Sequence, residues 1–103
     1  MSEYHMELCR WLDAGISPYH TVSYAARKLT EAGFSALPLK ETFELRPGGR
    51  YYVENGTFLA AFTVGDRADR FRIAAAHTDW PCLRVKPDAE LISGGCCKLR
   101  VEP

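Results

Sequence analysis

The sequence predicts an α/β protein, of the α+β type in this portion: two N-terminal helices, then a β-hairpin and further strands of a mixed sheet. Three observations predict this order. Helix start and stop signals lie early in the chain, an Asn-Gly pair separates two apolar runs in the middle, and apolar and basic residues alternate toward the end. A length of 103 residues suits one hydrophobic core, so residues 1–103 are expected to form a single domain.

Both helices are predicted from the signals at their ends. Residues 3–14 carry apolar side chains at mixed short spacings, and Gly15 ends that pattern. Ser17 then supplies an N-cap, followed by a proline, whose missing N–H would have no partner in the first helical turn. Apolar residues repeat at helical spacing from there until Gly33, so the second helix is expected over 18–32.

A tight hairpin is predicted around Asn55 and Gly56. Residues 50–54 and 57–64 flank this pair and are rich in aromatic and β-branched side chains, as strands are. An Asn-Gly pair favours a type I′ turn, in which both central residues take positive φ. The region before the hairpin, residues 37–45, is expected to be an extended and partly irregular arm.

Three further strands are predicted after the hairpin. Residues 70–76 end in a near-continuous apolar run, which is typical of a strand covered on both faces. Residues 83–86 and 98–101 alternate apolar and basic side chains, as half-exposed strands do, and Gly94 and Gly95 mark a turn between them. The first of these strands would run directly into a histidine.

Charge and composition argue against two kinds of partner. Thirteen Lys and Arg balance thirteen Asp and Glu, so no net field attracts nucleic acid. No apolar run approaches the roughly 20 residues that span a bilayer, and the N-terminal residues lack the features of a secretory signal. We therefore expect no nucleic-acid or membrane partner and a cytoplasmic protein, whose four cysteines stay reduced and mostly pack in the interior.

The most chemically suggestive residues are His77 and Asp79. On an extended backbone these two side chains project from the same side, and an imidazole beside a carboxylate is a common metal ligand with its supporting group. A zinc site nevertheless needs at least three protein ligands, and no second cluster is visible in the sequence. The residues alone therefore favour a structural role at a strand end, with a metal site as the alternative.

Other chemistries have less support. The glycine pairs do not form a phosphate-binding motif, so no nucleotide is implied. Ser17 and His20 could be a nucleophile and its base, but the helix prediction makes that serine an N-cap. Cys82 could be a thiolate, although a buried packing thiol is the simpler interpretation.

Residues 74–87, AAAHTDWPCLRVKP, resemble the segment around the first metal-binding histidine of the aspartyl aminopeptidase family, which reads close to G-A-H-T-D-S-P-C-L-R-x-K-P. Three more blocks match in the same order. Residues 17–22 are similar to that family's S-P-x-H-x-V, residues 32–34 to its A-G-F, and residues 45–52 to its L-x-P-G-G-x-Y-Y. Trp80 departs from the family's usual serine.

The resemblance implies a fold and a function. That family comprises zinc metallopeptidases with a two-metal site, which remove N-terminal acidic residues from peptides, combine an α/β catalytic domain with an inserted domain, and form large homo-oligomers. By the same resemblance, His77 matches the first metal ligand and Asp79 the catalytic-site aspartate that supports it. The family's other ligands and its general-base glutamate lie beyond the matched region. We therefore expect residues 1–103 to be the N-terminal fragment of an aminopeptidase catalytic domain, inactive alone.

Two alternatives stay open at this point. The chain could be a short, non-catalytic relative that uses an exposed sheet edge to associate with itself or with a longer relative, because unpaired strand edges invite strand addition. It could also be an unrelated small α+β binding module, in which His77 and Asp79 have only a structural role.

Overall fold

The chain folds into two helices and two separate sheets, which confirms the predicted α+β class. The computed structural model describes residues 2–67 and 69–103. In chain order the elements are α1 (Glu3–Ala14), α2 (Pro18–Glu31), β1 (Ser35–Ala36), β2 (Arg50–Asn55), β3 (Phe58–Thr63), β4 (Arg84–Ser93) and β5 (Cys96–Glu102). The first sheet is mixed, with β2 between a parallel β1 and an antiparallel β3, and the second is the antiparallel pair β4 and β5.

Both helices begin and end close to where the sequence predicts. Helix α1 has the predicted bounds, and α2 ends one residue early. The cap after α2 is a complete Schellman motif: Gly33 has φ 89° and its N–H bonds to the carbonyl of Thr30 at 3.1 Å, while the N–H of Phe34 bonds to the carbonyl of Leu29 at 2.9 Å. Glycine is needed here because other residues are strained at that φ.

The core lies between α2 and β2. Its buried side chains are Val22, Tyr24 and Ala26 from the helix and Tyr52 and Val53 from the strand. The two elements are also joined by a hydrogen bond, because the hydroxyls of Thr30 and Tyr52 lie 3.0 Å apart. This core fixes the position of α2 relative to the sheet.

Helix α1 packs against α2 through one aromatic and one ionic contact. The rings of Trp11 and Tyr24 meet edge to face, with their centroids 4.7 Å apart. Glu7 accepts from Lys28 at 2.9 Å, and this hydrogen bond lowers the pKa of the glutamate and raises the pKa of the lysine. The ion pair therefore stabilises the fold at pH values between the ordinary pKa of a glutamate and that of a lysine. This contribution is lost as the pH falls through the lowered pKa of Glu7 or rises through the raised pKa of Lys28.

The predicted hairpin is confirmed, but its predicted turn is wrong. Asn55 pairs with Phe58 in the ladder, so the two central residues are Gly56 and Thr57, not the Asn-Gly pair. Gly56 has φ 62°, and Thr57 is not among the residues with positive φ. Positive φ at the first central residue alone is the pattern of a type II′ turn.

The strand predicted over 70–76 does not form. These residues are irregular and exposed, and Phe71 and Ile73 each retain 85% of their accessible surface. A strand covered on both faces needs a hydrogen-bonded neighbour and a layer above and below it, and no element in the described part of the chain supplies these to residues 70–76. The apolar pattern is real, but residues 2–67 and 69–103 do not include the layers that would cover it.

Strands form near both predicted positions, 83–86 and 98–101, but β4 and β5 are longer than predicted and pair as a hairpin. This hairpin does not contact the helices. Its strands contact each other and none of the other described elements. The radius of gyration is 19.2 Å, against about 13 Å for a compact domain of this length. Likewise, the accessible surface is 8909 Å², against roughly 5,800 Å² for a compact monomer of this mass. Much apolar surface is therefore uncovered.

All four cysteines are free and exposed, so the prediction that they mostly pack in the interior is wrong. The reason is the same missing cover, since three of them lie in or before the β4–β5 hairpin. Neither of the described helices is long and apolar enough to cross a membrane.

Candidate metal centre

The structure brings His77 and Asp79 together. The Nδ1 atom of the imidazole lies 3.0 Å from the carboxylate Oδ1 and 2.9 Å from the backbone carbonyl oxygen of Asp79. Both oxygens can only accept while the carboxylate is ionised, so Nδ1 must be the protonated nitrogen and must donate. In the neutral imidazole the lone pair then lies on Nε2. This is the orientation in which histidine binds zinc while its other nitrogen donates to a carboxylate or carbonyl.

The pair lies at the surface. The side chains of His77 and Asp79 retain 80% and 70% of their accessible surface. Such exposure makes their ionic attraction weak, because water and salt screen it. It also leaves the Nε2 face of the ring accessible to an ion or to another part of a protein.

Contacts to two other elements hold the loop that carries the pair. The hydroxyl of Thr78 donates to the carbonyl of Thr57, in the turn of the β2–β3 hairpin, at 3.0 Å. The indole N–H of Trp80 donates to the hydroxyl of Thr21, in α2, at 3.4 Å. The sequence predicts that His77 lies at the end of a strand, and this prediction is wrong. His77 lies on a loop that is hydrogen-bonded to the turn of the β2–β3 hairpin and to α2.

His77 and Asp79 are also among the residues that line an open groove. Strand β3 forms one wall, and the irregular residues 70–79 form the other. The second wall includes Phe71 and Ile73, so much of the groove is apolar.

His77 fits the role of a zinc ligand, but the described residues do not complete a site. No group of three or more His, Cys, Asp or Glu side chains that could hold a metal is found among residues 2–67 and 69–103. A catalytic zinc ordinarily has three protein ligands and one water. The described residues therefore offer the pair of His77 and Asp79 but no complete metal site.

The serine and histidine pair at the start of α2 is a helix cap. The hydroxyl of Ser17 lies 2.7 Å from His20 Nδ1 and accepts from the backbone N–H of that residue at 3.4 Å. The start of α1 repeats this arrangement, with Ser2 at 2.8 Å and 3.5 Å from the same atoms of His5. Two copies of one geometry at two helix starts indicate capping, not a nucleophile and its base.

Three residues that support the site were not identified from the sequence. Thr57 acts through its backbone carbonyl, and Thr21 through a hydroxyl on an unremarkable helix position. Gly15 was identified only as a helix stop, although it lies under the indole of Trp80. One indication of these contacts was present in the sequence, the unusual Trp80 after the H-T-D motif, but it did not show which residues the indole contacts.

The chain is similar to known proteins along almost its whole length. Residues 11–103 match the family model described as "Aminopeptidase I zinc metalloprotease (M18)". The "Probable M18 family aminopeptidase 2" of Pseudomonas paraeruginosa (strain PA7) is 39% identical over 105 aligned residues, which cover 98% of this chain and 24% of the relative. The protein of the same name from Pseudomonas fluorescens (strain SBW25) is 40% identical over 99 residues, covering 92% and 23%.

A solved structure gives the same result. A chain in the cryo-EM structure of the Ape4 and Nbr1 complex superposes with a TM-score of 0.83 and 30% identity, over 94% of this chain and 20% of that one. The chain thus spans about a quarter of the length of the curated relatives that it matches. Its sequence and its fold are similar to the same kind of protein.

Proposed function

The chain belongs to the M18 family of aminopeptidases, described as zinc metalloproteases, and we propose that it supplies one zinc ligand of such an enzyme, His77, with Asp79 as the carboxylate that supports it. The supporting observation is the hydrogen bond from Nδ1 to both acceptors of Asp79, which leaves Nε2 free. Family membership also rules out the alternative of an unrelated α+β binding module.

The roles of the two residues follow from their chemistry. His77 would bind the zinc through Nε2, and Asp79 would hold the ring in place and increase its basicity. When bound, zinc polarises a carbonyl and lowers the pKa of a coordinated water. In the family, the resemblance implies two metals, so the remaining ligands and the general base belong to the other three quarters of such an enzyme.

The substrate, the oligomeric state and the cellular location are also proposals. We infer a peptide substrate with an N-terminal aspartate or glutamate, because the four matched blocks resemble the aspartyl aminopeptidases. We also infer that the chain corresponds to the N-terminal quarter of a homo-oligomeric cytoplasmic enzyme. The large uncovered apolar surface supports a chain that packs against further protein.

One observation favours a second candidate, a short relative that acts in association. The β4–β5 hairpin stands apart with unpaired edges, and Val85, Leu99 and Val101 lie on one of its faces, at least partly exposed. Such a hairpin could add to the sheet of a longer relative. Immunoblotting of cell extract with an antibody against this chain separates the two candidates. The enzyme requires a polypeptide of about four times the chain's 11.6 kDa, and the short relative requires a polypeptide of 11.6 kDa.

A chimera tests the proposed enzyme directly. Residues 2–103 of this chain would replace the matching quarter of the Pseudomonas paraeruginosa aminopeptidase, with which they share 39% identity. We expect the chimera to bind zinc and to release the N-terminal residue of peptides beginning with aspartate or glutamate in preference to peptides beginning with alanine or leucine. A folded chimera without zinc and without activity would contradict the proposal.

A further inference from the structure

Trp80 is 41% exposed, but one side of its indole contacts the end of α1. A β-carbon added to Gly15 would lie 2.6 Å from the indole nitrogen, a distance that real β-carbons do not tolerate. Gly15 itself has φ −82° and ψ 48°, within an inverse γ-turn closed by a 3.0 Å bond from Ile16 to Ala14, and residues other than glycine also adopt it. The indole is therefore the nearest obstacle to a side chain at this position, with the backbone carbonyl oxygen of Trp11 next at 3.2 Å, and backbone conformation does not require the glycine.

The indole has a second contact in the same place. Its N–H donates to the hydroxyl of Thr21 at 3.4 Å, which is long for a hydrogen bond and therefore weak. That hydroxyl is itself oriented, because it donates to the carbonyl of Ser17 at 3.1 Å. Gly15 and Thr21 thus form the contact site of the indole at the α1–α2 junction, which we call the indole cleft.

One peptide group connects the indole cleft to the histidine. The carbonyl oxygen of Asp79, which accepts from His77 Nδ1 at 2.9 Å, shares a planar peptide group with the nitrogen of Trp80. Pro81 follows and restricts the backbone of Trp80 to extended conformations. With the indole seated and the backbone restricted, that carbonyl has little freedom to rotate away from the imidazole.

We propose that Trp80 is a positioning residue: seated in the indole cleft, it orients the Asp79 carbonyl, which holds Nδ1 of His77 and so presents Nε2 to the zinc. This inference rests on the proposed role of His77. The family that the sequence resembles usually has serine at this position, and a serine side chain cannot reach across the cleft. Positioning of the Asp79 carbonyl in this way therefore depends on Trp80 and Gly15 of this chain.

A double-mutant cycle in the chimera tests the proposal through zinc affinity, measured by competition with a chelator. We expect Gly15→Ala to expel the indole and weaken zinc binding about tenfold, the lower end of what supporting groups of metal ligands contribute. Trp80→Ser should weaken it similarly. Adding Gly15→Ala to Trp80→Ser should cost nothing more, because no indole remains to be expelled. Trp80→Phe, which keeps a ring in the cleft, should recover part of the affinity.

A spectroscopic measurement on the isolated chain reports the same effect without zinc. Imidazole nitrogen chemical shifts, recorded well above the ordinary histidine pKa, distinguish the two neutral tautomers. We expect His77 to be protonated at Nδ1 in the parent chain and to lose that preference in Gly15→Ala and Trp80→Ser. Gly65→Ala is the matched control, since a β-carbon there meets no atom closer than 3.9 Å, and it should change nothing.

The outcomes distinguish this inference from the proposed function. If His77→Ala abolishes zinc binding at the site while the Gly15 and Trp80 variants, alone or combined, leave affinity and tautomer unchanged, Trp80 has no positioning role and the metal ligand stands. Fully additive costs of the two substitutions would also overturn it. If His77→Ala leaves zinc affinity unchanged, the proposed function itself fails.

Discussion

Replacing His77 by alanine in the chimera with the Pseudomonas paraeruginosa enzyme should lower kcat/KM by about a thousandfold or more. A metal supplies several kcal/mol of transition-state stabilisation, and each 1.4 kcal/mol corresponds to a factor of about ten in rate. Loss of one zinc ligand removes most of that stabilisation, either through loss of the ion or through its displacement. The measurement is steady-state hydrolysis of a peptide with an N-terminal aspartate, together with the zinc content of the purified protein.

Two further variants make this result specific. His5→Ala is the matched control. His5 is also an exposed histidine, but its Nδ1 lies near the hydroxyl of Ser2 and not near a carboxylate, and it precedes residues 11–103, which match the family model. It should leave kcat/KM unchanged. Asp79→Asn keeps the shape of the side chain and its carbonyl acceptor, and should cost about 10- to 100-fold, as supporting groups of zinc ligands do. Equal activity of the His77→Ala variant and the parent chimera would exclude a metal role for this histidine.

The isolated chain should release no N-terminal aspartate or glutamate above the uncatalysed background. Enzymes accelerate such reactions by at least about a millionfold, so the expected loss is of that size or larger. The described residues offer one imidazole with its carboxylate and no cluster of three metal-binding side chains, so they cannot enclose a zinc ion. We expect zinc to bind the isolated chain weakly and below one equivalent.

The measurement is peptide hydrolysis with added zinc, beside equilibrium dialysis of the metal. The parent chimera at the same concentration provides the positive control. Hydrolysis by the isolated chain that survives further purification and disappears with a chelator would mean that the chain holds a complete site, contrary to the proposal.

The local structure was predictable where the signals are local. A serine cap, a proline in the first turn and a glycine after the last turn specify α2 within one residue, because each satisfies or removes a backbone group of the helix itself. The β2–β3 hairpin was predictable for the same reason. Its turn was misplaced by one residue, since the ladder pairs Asn55 with Phe58 and leaves Gly56 as the only glycine at a central position.

The features that depend on tertiary contacts could not be predicted. Residues 70–76 have the composition of a buried strand, but a strand forms only where a neighbour accepts its hydrogen bonds. No strand in the described part of the chain does so for them. The H-T-D motif identified the candidate site because its residues are adjacent in sequence. The contacts that hold it, from Thr57, Thr21 and Gly15, join positions far apart in the chain and leave no pattern in the sequence.

The most direct test of the central claim is a crystal structure of the zinc-loaded chimera, with anomalous diffraction to locate the metal. We expect a zinc ion about 2.0 to 2.1 Å from Nε2 of His77, with Nδ1 of the same ring still donating to Asp79. A fully occupied zinc site that excludes His77, or an imidazole that has turned away from Asp79 and binds through Nδ1, would contradict it.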